Sequence, residues 1–137
     1  MVKYSSKKNI KFKKILKLYK DCGWSSYTRN PEKLKKGIQQ SNYVVTAWNK
    51  SELIGLSRVI SDNETIVYIQ DLLVRKNFRF KGIGSNLLKK VLGPFENIRQ
   101  KVLIADSGDG LKEFYKKCGF KSAKELNIKA FVKLNNS

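Results

Sequence analysis

Three β-patterned segments that follow one another in the middle of the chain constrain its fold most. Residues 43–48, 53–60 and 65–74 are rich in the β-branched and aromatic side chains that strands favour. The two breaks between them are polar and turn-prone, and each is short enough for a hairpin. The sequence therefore predicts three strands joined by antiparallel hairpins.

Two helical segments precede these strands. Residues 24–29 between them are interpreted as an aromatic loop, and the second helix is predicted to begin at Asn30 and Pro31, which suit an N-cap and a first helical position. The first helix is predicted over residues 9–22 and ends at Gly23. Its apolar face is formed by residues at helical spacing, namely Phe12, Ile15, Leu16 and Tyr19.

The pattern after the three strands alternates between helix and strand. A helix is predicted from Gly82 to Gly93, a short strand over 101–105, a helix over 110–117 and a last strand over 129–134. The order is α-α-β-β-β-α-β-α-β, and a further first strand near residues 2–4 is kept open. At 137 residues the chain fits one hydrophobic core, so we expect a single domain over residues 1–137.

The formal net charge is +18, which favours polyanionic partners such as nucleic acid, anionic membrane or a phosphate-rich cofactor. The charge is carried mainly by lysines spread over the whole chain, whereas nucleic-acid surfaces depend more on arginine and interleaved aromatics. We therefore expect no specific nucleic acid and no membrane as partner. A basic nucleic-acid-binding module stays as an alternative.

Residue types missing from the sequence exclude several kinds of chemistry. There is no histidine, and the two cysteines, Cys22 and Cys118, lack the spacing of metal ligands. A metal site, a Ser-His-Asp triad and a Cys-His pair are therefore not expected. No segment has about 18 consecutive apolar residues and the N-terminus has no secretory pattern, so a cytoplasmic protein is expected.

The stretch from Arg79 to Gly84 lies between a predicted strand and a predicted helix. Glycines there let an anion approach the backbone closely, and N–H groups at a helix start bind phosphate. Arg79 and Lys81 add positive charge. The spacing is neither that of a Walker A loop nor that of a dinucleotide-binding turn.

Two motifs resemble those of the GNAT N-acetyltransferase superfamily. Arg79-x-x-Gly82-x-Gly84 is similar to the family's pyrophosphate signature Q/R-x-x-G-x-G/A, and residues 114–120 (FYKKCGF) are similar to its F-Y-x-x-x-G-F element. The resemblance implies an α/β (α+β) fold with a mixed, mostly antiparallel central sheet flanked by helices. It also implies strands that splay apart to form a slot for acetyl-CoA, with no metal. The cofactor-binding residues that it implies are Leu72, Leu73, Val74, Arg79, Phe80, Lys81, Gly82, Ile83, Gly84, Ser85, Phe114 and Tyr115.

The resemblance also implies catalytic roles. The backbone N–H near Leu73 would bind the carbonyl oxygen of the acetyl group, and Tyr115 would protonate the sulfur of CoA, although Tyr115 can also be read as a core aromatic. Asp71 is the leading carboxylate for the general base, or alternatively a structural carboxylate. Strand alternation places Gln70 and Asp71 on opposite faces of the sheet.

For the acceptor pocket the candidates are Trp24, Tyr27 and Arg58. Aromatic side chains in the loop between the first two helices could clamp an amine, and Arg58 would be costly to bury without a partner. The expected function is transfer of the acetyl group of acetyl-CoA to a primary amine of a small molecule or peptide, by direct attack in a ternary complex. A GNAT-like acyl-CoA-binding protein with little catalysis is a further alternative, and a homodimer is kept open.

Overall fold

The structure is a computed structural model that describes residues 1–108 and 110–135. It divides into two compact units, Met1–Ile104 and Ala105–Ser137. The first unit holds a sheet with helices packed on it, and the second holds one helix and irregular segments. The single domain expected over residues 1–137 stays a prediction.

The first unit contains five strands and four α-helices. These strands include the three predicted in the middle of the chain, and they also include the first strand near residues 2–4 that was kept open. In chain order the elements are β1 (Val2–Ser5), α1 (Phe12–Asp21), α2 (Ser25–Thr28), α3 (Pro31–Gln40), β2 (Tyr43–Asn49), β3 (Glu52–Ser61), β4 (Ile66–Val74), α4 (Ile83–Leu92) and β5 (Gln100–Leu103).

The short helix α2 was not predicted. It forms one turn directly after Gly23, whose φ of 77° reverses the chain at the end of α1. Four residues are too few to show a helical period, and its serines and threonine are weak helix formers. The predicted start of α3 is confirmed, because the Asn30 side chain accepts a hydrogen bond from the N–H of Lys33 (3.4 Å) and Pro31 occupies the first turn.

The sheet has the order β1-β2-β3-β4-β5. All neighbouring pairs are antiparallel except β4 and β5, which are parallel. The pairing of β4 with β5 extends only from Ile66 to Ile69, although β4 continues to Val74. The expected mixed and mostly antiparallel sheet is confirmed. The expected splaying of two strands stays a prediction, because β5 ends at Leu103, where its pairing with β4 also ends.

Helices cover both faces of this sheet. A Cβ atom at Gly55 would lie 2.9 Å from Cδ1 of Leu87 in α4, whereas Leu56 packs in the core against α1. Since adjacent strand residues face opposite sides, α1 and α4 lie on opposite faces. The cluster on the α1 face is fully apolar except for one hydroxyl and comprises Ile15, Leu18, Tyr19, Leu34, Ile38, Val44, Leu53, Leu56 and Leu73.

The described residues of the second unit contain one helix, α5 (Leu111–Lys117). Its predicted last strand over 129–134 is wrong, because residues 129–135 have no regular secondary structure. The apolar side chains of Phe131, Val132 and Leu134 are exposed. A strand needs a paired neighbour, and the described residues of this unit include no other strand. Over the described ranges of the whole chain, no helix is long and apolar enough to cross a membrane.

Candidate active site

A β-bulge in β4 organises the candidate site. Asp71 pairs with Arg58 and Ile69 pairs with Val59, so Gln70 is an extra residue without a Cα partner on β3. The side chains of Gln70 and Asp71 both contact the hydroxyl of Tyr27. The expectation that these two side chains face opposite sides is therefore wrong, because a bulge interrupts the alternation of a strand.

The bulge lies directly after the point where β5 ends and its pairing with β4 stops. β5 pairs with β4 up to Ile69, and residues 71–74 have a strand partner only on the β3 side within the described part of the chain. The second half of β4 therefore presents a backbone edge to which an extended, amide-containing molecule can add.

The register determines which backbone groups of β4 face this open edge. The N–H of Arg75 donates to the carbonyl of Ile54 (2.8 Å), so residues 75 and 54 form a hydrogen-bonded pair. Hydrogen-bonded pairs alternate along an antiparallel ladder, which turns the N–H of Leu73 toward β3 and the N–H groups of Leu72 and Val74 toward the open edge. The N–H of Leu73 itself is thus not directed at the open edge, whereas the N–H groups of its neighbours Leu72 and Val74 are.

The glycine-containing loop between β4 and α4 follows directly. Phe80 and Gly82 have φ values of 63° and 81°, and Gly82 is the left-handed N-cap of α4. The first backbone hydrogen bond of the helix start runs from the N–H of Asn86 to the carbonyl of Gly82 (3.0 Å). The N–H groups of residues 81–85 have no acceptor within the described chain, so this turn offers a set of donors to an anion.

The charges around this loop have one sign. The first turn of α4 contains no acidic residue, and Arg79 and Lys81 are exposed. The Nε of Arg79 donates to the carbonyl of Val74 (3.0 Å), which ties the loop to the end of the open β4 edge. The edge and the anion-binding turn are therefore continuous, as a ligand with an amide arm and a diphosphate requires.

The carboxylate of Asp71 is 1% exposed and has partners on both oxygens. Its Oδ2 accepts from the Nε of Arg58 (2.5 Å) and from the hydroxyl of Tyr19 (2.7 Å), and its Oδ1 accepts from the hydroxyl of Tyr27 (2.9 Å). Arg58 also donates from Nη1 to the hydroxyl of Ser41 (3.2 Å). Arg58 is thus buried beside its own carboxylate.

Burial and the charge of Asp71 determine how the two tyrosines titrate. Burial, aided by the Asp71 carboxylate, raises the pKa of Tyr19 well above its ordinary value. The same two causes, in the same order, raise the pKa of Tyr27. Both hydroxyls therefore keep their protons and act as donors to Asp71 throughout the neutral range.

The aromatic residues predicted for the acceptor pocket lie together. Trp24 stacks on Tyr27 with ring centroids 5.8 Å apart and 20° between planes, and Tyr19 meets both rings edge-on. The guanidinium of Arg58 lies 5.8 Å from the centroid of the Tyr27 ring. The structure therefore brings Trp24, Tyr27 and Arg58 together with Asp71.

Sequence reasoning missed two polar members of this cluster, Tyr19 and Ser41. Both are buried, with exposures of 0% and 1%. Tyr19 was read only as part of the apolar face of α1. A tyrosine on such a face signals a buried hydroxyl that needs an acceptor, which is here Asp71.

Tyr115 and Phe114 lie on α5 in the second unit. The Tyr115 ring packs edge-on against Phe114 (5.0 Å) and Phe120 (6.1 Å). Burial raises the pKa of the Tyr115 hydroxyl. A tyrosine in this environment is protonated at neutral pH, as a proton donor must be. The described residues contain no group of three or more potential metal-ligating side chains.

Comparison with known proteins places these features in a family. The sequence profile described as "Acetyltransferase (GNAT) domain" matches residues 13–135. The chain is 26% identical over 120 residues to the uncharacterised N-acetyltransferase ycf52 of Pyropia yezoensis, an alignment that covers 85% of this chain and 68% of that protein.

Solved structures give the same result. A GNAT-family acetyltransferase of Streptococcus pneumoniae superposes with a TM-score of 0.87 at 25% identity, and the match covers 100% of both chains. AAC(6')-Iy in complex with a bisubstrate analogue, CoA-S-monomethyl-acetylneamine, superposes with a TM-score of 0.70 over 100% of this chain and 99% of that one. At 12% identity, this second likeness shows the fold alone.

The match to the family profile covers most of the chain, and the chain belongs to the GNAT acetyltransferase family. Its enzyme class is that of the acetyl-CoA-dependent N-acetyltransferases.

Proposed function

We propose that this enzyme transfers the acetyl group of acetyl-CoA directly to a primary amine of a small molecule or peptide, in a ternary complex. The observation that carries the proposal is the open edge of β4 from Leu72 to Val74, which runs into a helix start. The N–H groups of this helix start have no acceptor among the described residues. The fold neighbour solved with a CoA–acetylneamine bisubstrate analogue supports direct transfer, because one such molecule joins CoA to the acetylated acceptor.

Binding of acetyl-CoA uses backbone groups first. The pantetheine amides pair with the edge at Leu72 and Val74, and the diphosphate lies on the N–H groups of residues 81–85 beside Arg79 and Lys81. The bulge at Gln70 directly follows Ile69, the last residue of β4 that pairs with β5. This mode of binding depends mainly on backbone groups. It also requires glycines in the loop, because their lack of a side chain lets the phosphates approach.

Transfer then needs three actions. The neutral amine attacks the thioester carbonyl carbon, and the N–H of Leu72 stabilises the negative charge that develops on the carbonyl oxygen. The C–S bond breaks with its electron pair passing to sulfur, and Tyr115 donates its proton to that thiolate. The attacking nitrogen releases its extra proton to water, and Tyr115 regains a proton from solvent.

Asp71 has two candidate roles in this scheme. Its two oxygens are engaged by Arg58, Tyr19 and Tyr27, and it is almost completely buried. These contacts support a positioning role, in which Asp71 fixes the bulge and holds Tyr27 in the wall of the acceptor site. A general base would need an oxygen accessible to the amine or to a bound water.

The acceptor wall is formed by Trp24 and Tyr27 over Arg58. A panel of primary amines, with release of free thiol as the readout, tests the reaction and identifies the acceptor class. If no amine in the panel raises thiol release above the rate of simple acetyl-CoA hydrolysis, the result favours the alternative of an acyl-CoA-binding protein with little catalysis.

Replacing Gly84 with valine should weaken binding of acetyl-CoA by more than about tenfold. The branched side chain would intrude where the diphosphate approaches α4, and the loss of even one charge-assisted hydrogen bond costs about 1.5–3 kcal/mol. Gly84 lies inside the first turn of α4, where valine is tolerated, so the thermal midpoint without ligand should hardly change. Gly84→Ala is the matched control and should retain binding. Unchanged affinity in a folded Gly84→Val protein would exclude this loop as the diphosphate site.

The net charge of +18 leads to a separate prediction about nucleic acid. Diffuse lysine charge should give weak duplex DNA binding that falls steeply as salt rises, because each neutralised phosphate releases condensed counterions. Fluorescence anisotropy of labelled DNA at increasing salt measures this dependence. Tight binding at physiological salt, together with no thermal shift from acetyl-CoA, would instead favour the nucleic-acid-binding alternative.

A further inference from the structure

Phe80, in the loop before α4, combines two unfavourable features. Its side chain is 105% exposed, whereas every other aromatic residue within 1–104 is at least partly buried. Its φ is 63°, a left-handed conformation that bulky residues rarely adopt. An exposed ring gains no stabilisation from burial, and strained backbone is concentrated at ligand-binding positions. Both observations suggest that the ring serves a ligand.

The surroundings of Phe80 specify the chemistry of that ligand. Phe80 lies between Arg79 and Lys81 and immediately precedes the N–H groups of residues 81–85, for which the described part of the chain supplies no acceptor. Arg79 is turned back to the carbonyl of Val74, and the Nζ of Lys81 lies 5.6 Å from the centroid of the Phe78 ring. A molecule with phosphate next to a flat aromatic group would satisfy the N–H groups, the cations and the ring at once.

We propose that the ring of Phe80 stacks on the adenine base of bound acetyl-CoA. This inference rests on the proposed function, because it takes the diphosphate to lie on the N–H groups of residues 81–85. From there the pantetheine arm follows the β4 edge inward, and the nucleoside extends from the other end of the diphosphate toward solvent. Phe80 is the fully exposed aromatic residue of this loop, and the proposal places its ring beside that outer end. Base–aromatic stacking needs only the flat face of each ring, so an exposed phenyl suffices.

The test compares two donors and two substitutions. The donors are acetyl-CoA and S-acetyl-4'-phosphopantetheine, which lacks the adenosine, its 3'-phosphate and one phosphate of the diphosphate. Phe80→Asn removes the ring but keeps a residue that tolerates positive φ, so the loop conformation is preserved. Phe80→Tyr keeps the ring and serves as the matched control. Dissociation constants are measured by calorimetry at donor concentrations up to the millimolar range.

We expect Phe80→Asn to raise the Kd for acetyl-CoA about five- to 140-fold, the equivalent of one base–aromatic stack. The Kd for S-acetyl-4'-phosphopantetheine should not change, and Phe80→Tyr should bind both donors as the wild type does. Equal losses for both donors would mean that the ring only shapes the loop, and no loss for either would mean that it is idle. Both results overturn the inference and leave the proposed function intact. A wild-type protein that binds neither donor overturns both.

Discussion

Tyr115→Phe is expected to lower kcat about a hundredfold to ten-thousandfold while the protein stays folded and keeps its affinity for acetyl-CoA. General-acid assistance to a departing group has this magnitude, and the substitution removes only the hydroxyl. The ring contacts with Phe114 and Phe120 are retained. An interaction made only in the transition state affects kcat without weakening the ground-state complex.

Steady-state kinetics with an acceptor from the amine panel give the two parameters separately. Tyr43→Phe is the matched control, since Tyr43 is a tyrosine of the first unit that packs edge-on against Phe95. It should have wild-type kcat. Wild-type kcat in Tyr115→Phe would remove Tyr115 from the mechanism, and a raised KM for acetyl-CoA with kcat intact would make it a cofactor-binding residue.

The pH dependence gives an independent test of the same residue. Burial raises the pKa of Tyr115, so its proton-donating form is fully present below the ordinary tyrosine range and is lost only as pH rises past it. The alkaline limb of kcat that depends on Tyr115 should therefore lie above about pH 10. In Tyr115→Phe this limb should be absent. A limb that persists in the variant belongs to another group.

The sequence indicated the parts of this fold that depend on local patterns. The alternation and β-branched residues of the central strands, the apolar faces of α1 and α4, and the N-cap at Asn30 are all readable from neighbouring residues. The glycine loop could be recognised for the same reason, because its chemistry is that of consecutive backbone groups. Each of these features can be recognised within a window of about 18 residues or fewer.

Features that depend on register could not be predicted in this way. The bulge at Gln70 arises from how β4 aligns with β3, and the sequence of β4 alone is consistent with regular alternation. The side chains of Gln70 and Asp71 were expected on opposite faces of the sheet, but the bulge brings both of them to the hydroxyl of Tyr27. Likewise, Arg58 on β3 and Asp71 on β4 form a cross-strand ion pair. Only the register shows that the charge of Arg58 is compensated by a carboxylate of the same chain.

The Arg58–Asp71 ion pair leads to the second large effect. Both side chains are buried, with 7% and 0% of their side-chain surfaces exposed. Removal of one partner from a buried ion pair costs about 3–5 kcal/mol, because the other charge is left without compensation. We therefore expect Asp71→Asn and Arg58→Met each to lower the free energy of unfolding by about that amount, as measured by urea denaturation with and without acetyl-CoA.

The double variant Arg58→Met/Asp71→Asn should be less destabilised than the sum of the two single changes. It contains no buried uncompensated charge, and the asparagine oxygen still accepts from Tyr27 or Tyr19. Glu125→Gln, which breaks the exposed pair of Glu125 with Lys116 (3.7 Å), is the control and should change the denaturation midpoint little. Strict additivity in the double variant would mean that Arg58 and Asp71 do not act as a pair.

The same variants also determine the chemical role of Asp71. If Asp71 positions the bulge and Tyr27, the folded fraction of Asp71→Asn should retain kcat within about tenfold, since the amide oxygen still accepts a hydrogen bond. If Asp71 is the general base, kcat should fall about a hundredfold to ten-thousandfold even in the stabler double variant, because an amide does not take a proton at neutral pH. The buried, fully engaged carboxylate leads us to expect the first result. A stable but inactive double variant, together with a retained kcat in the folded fraction of Arg58→Met, would assign the base to Asp71.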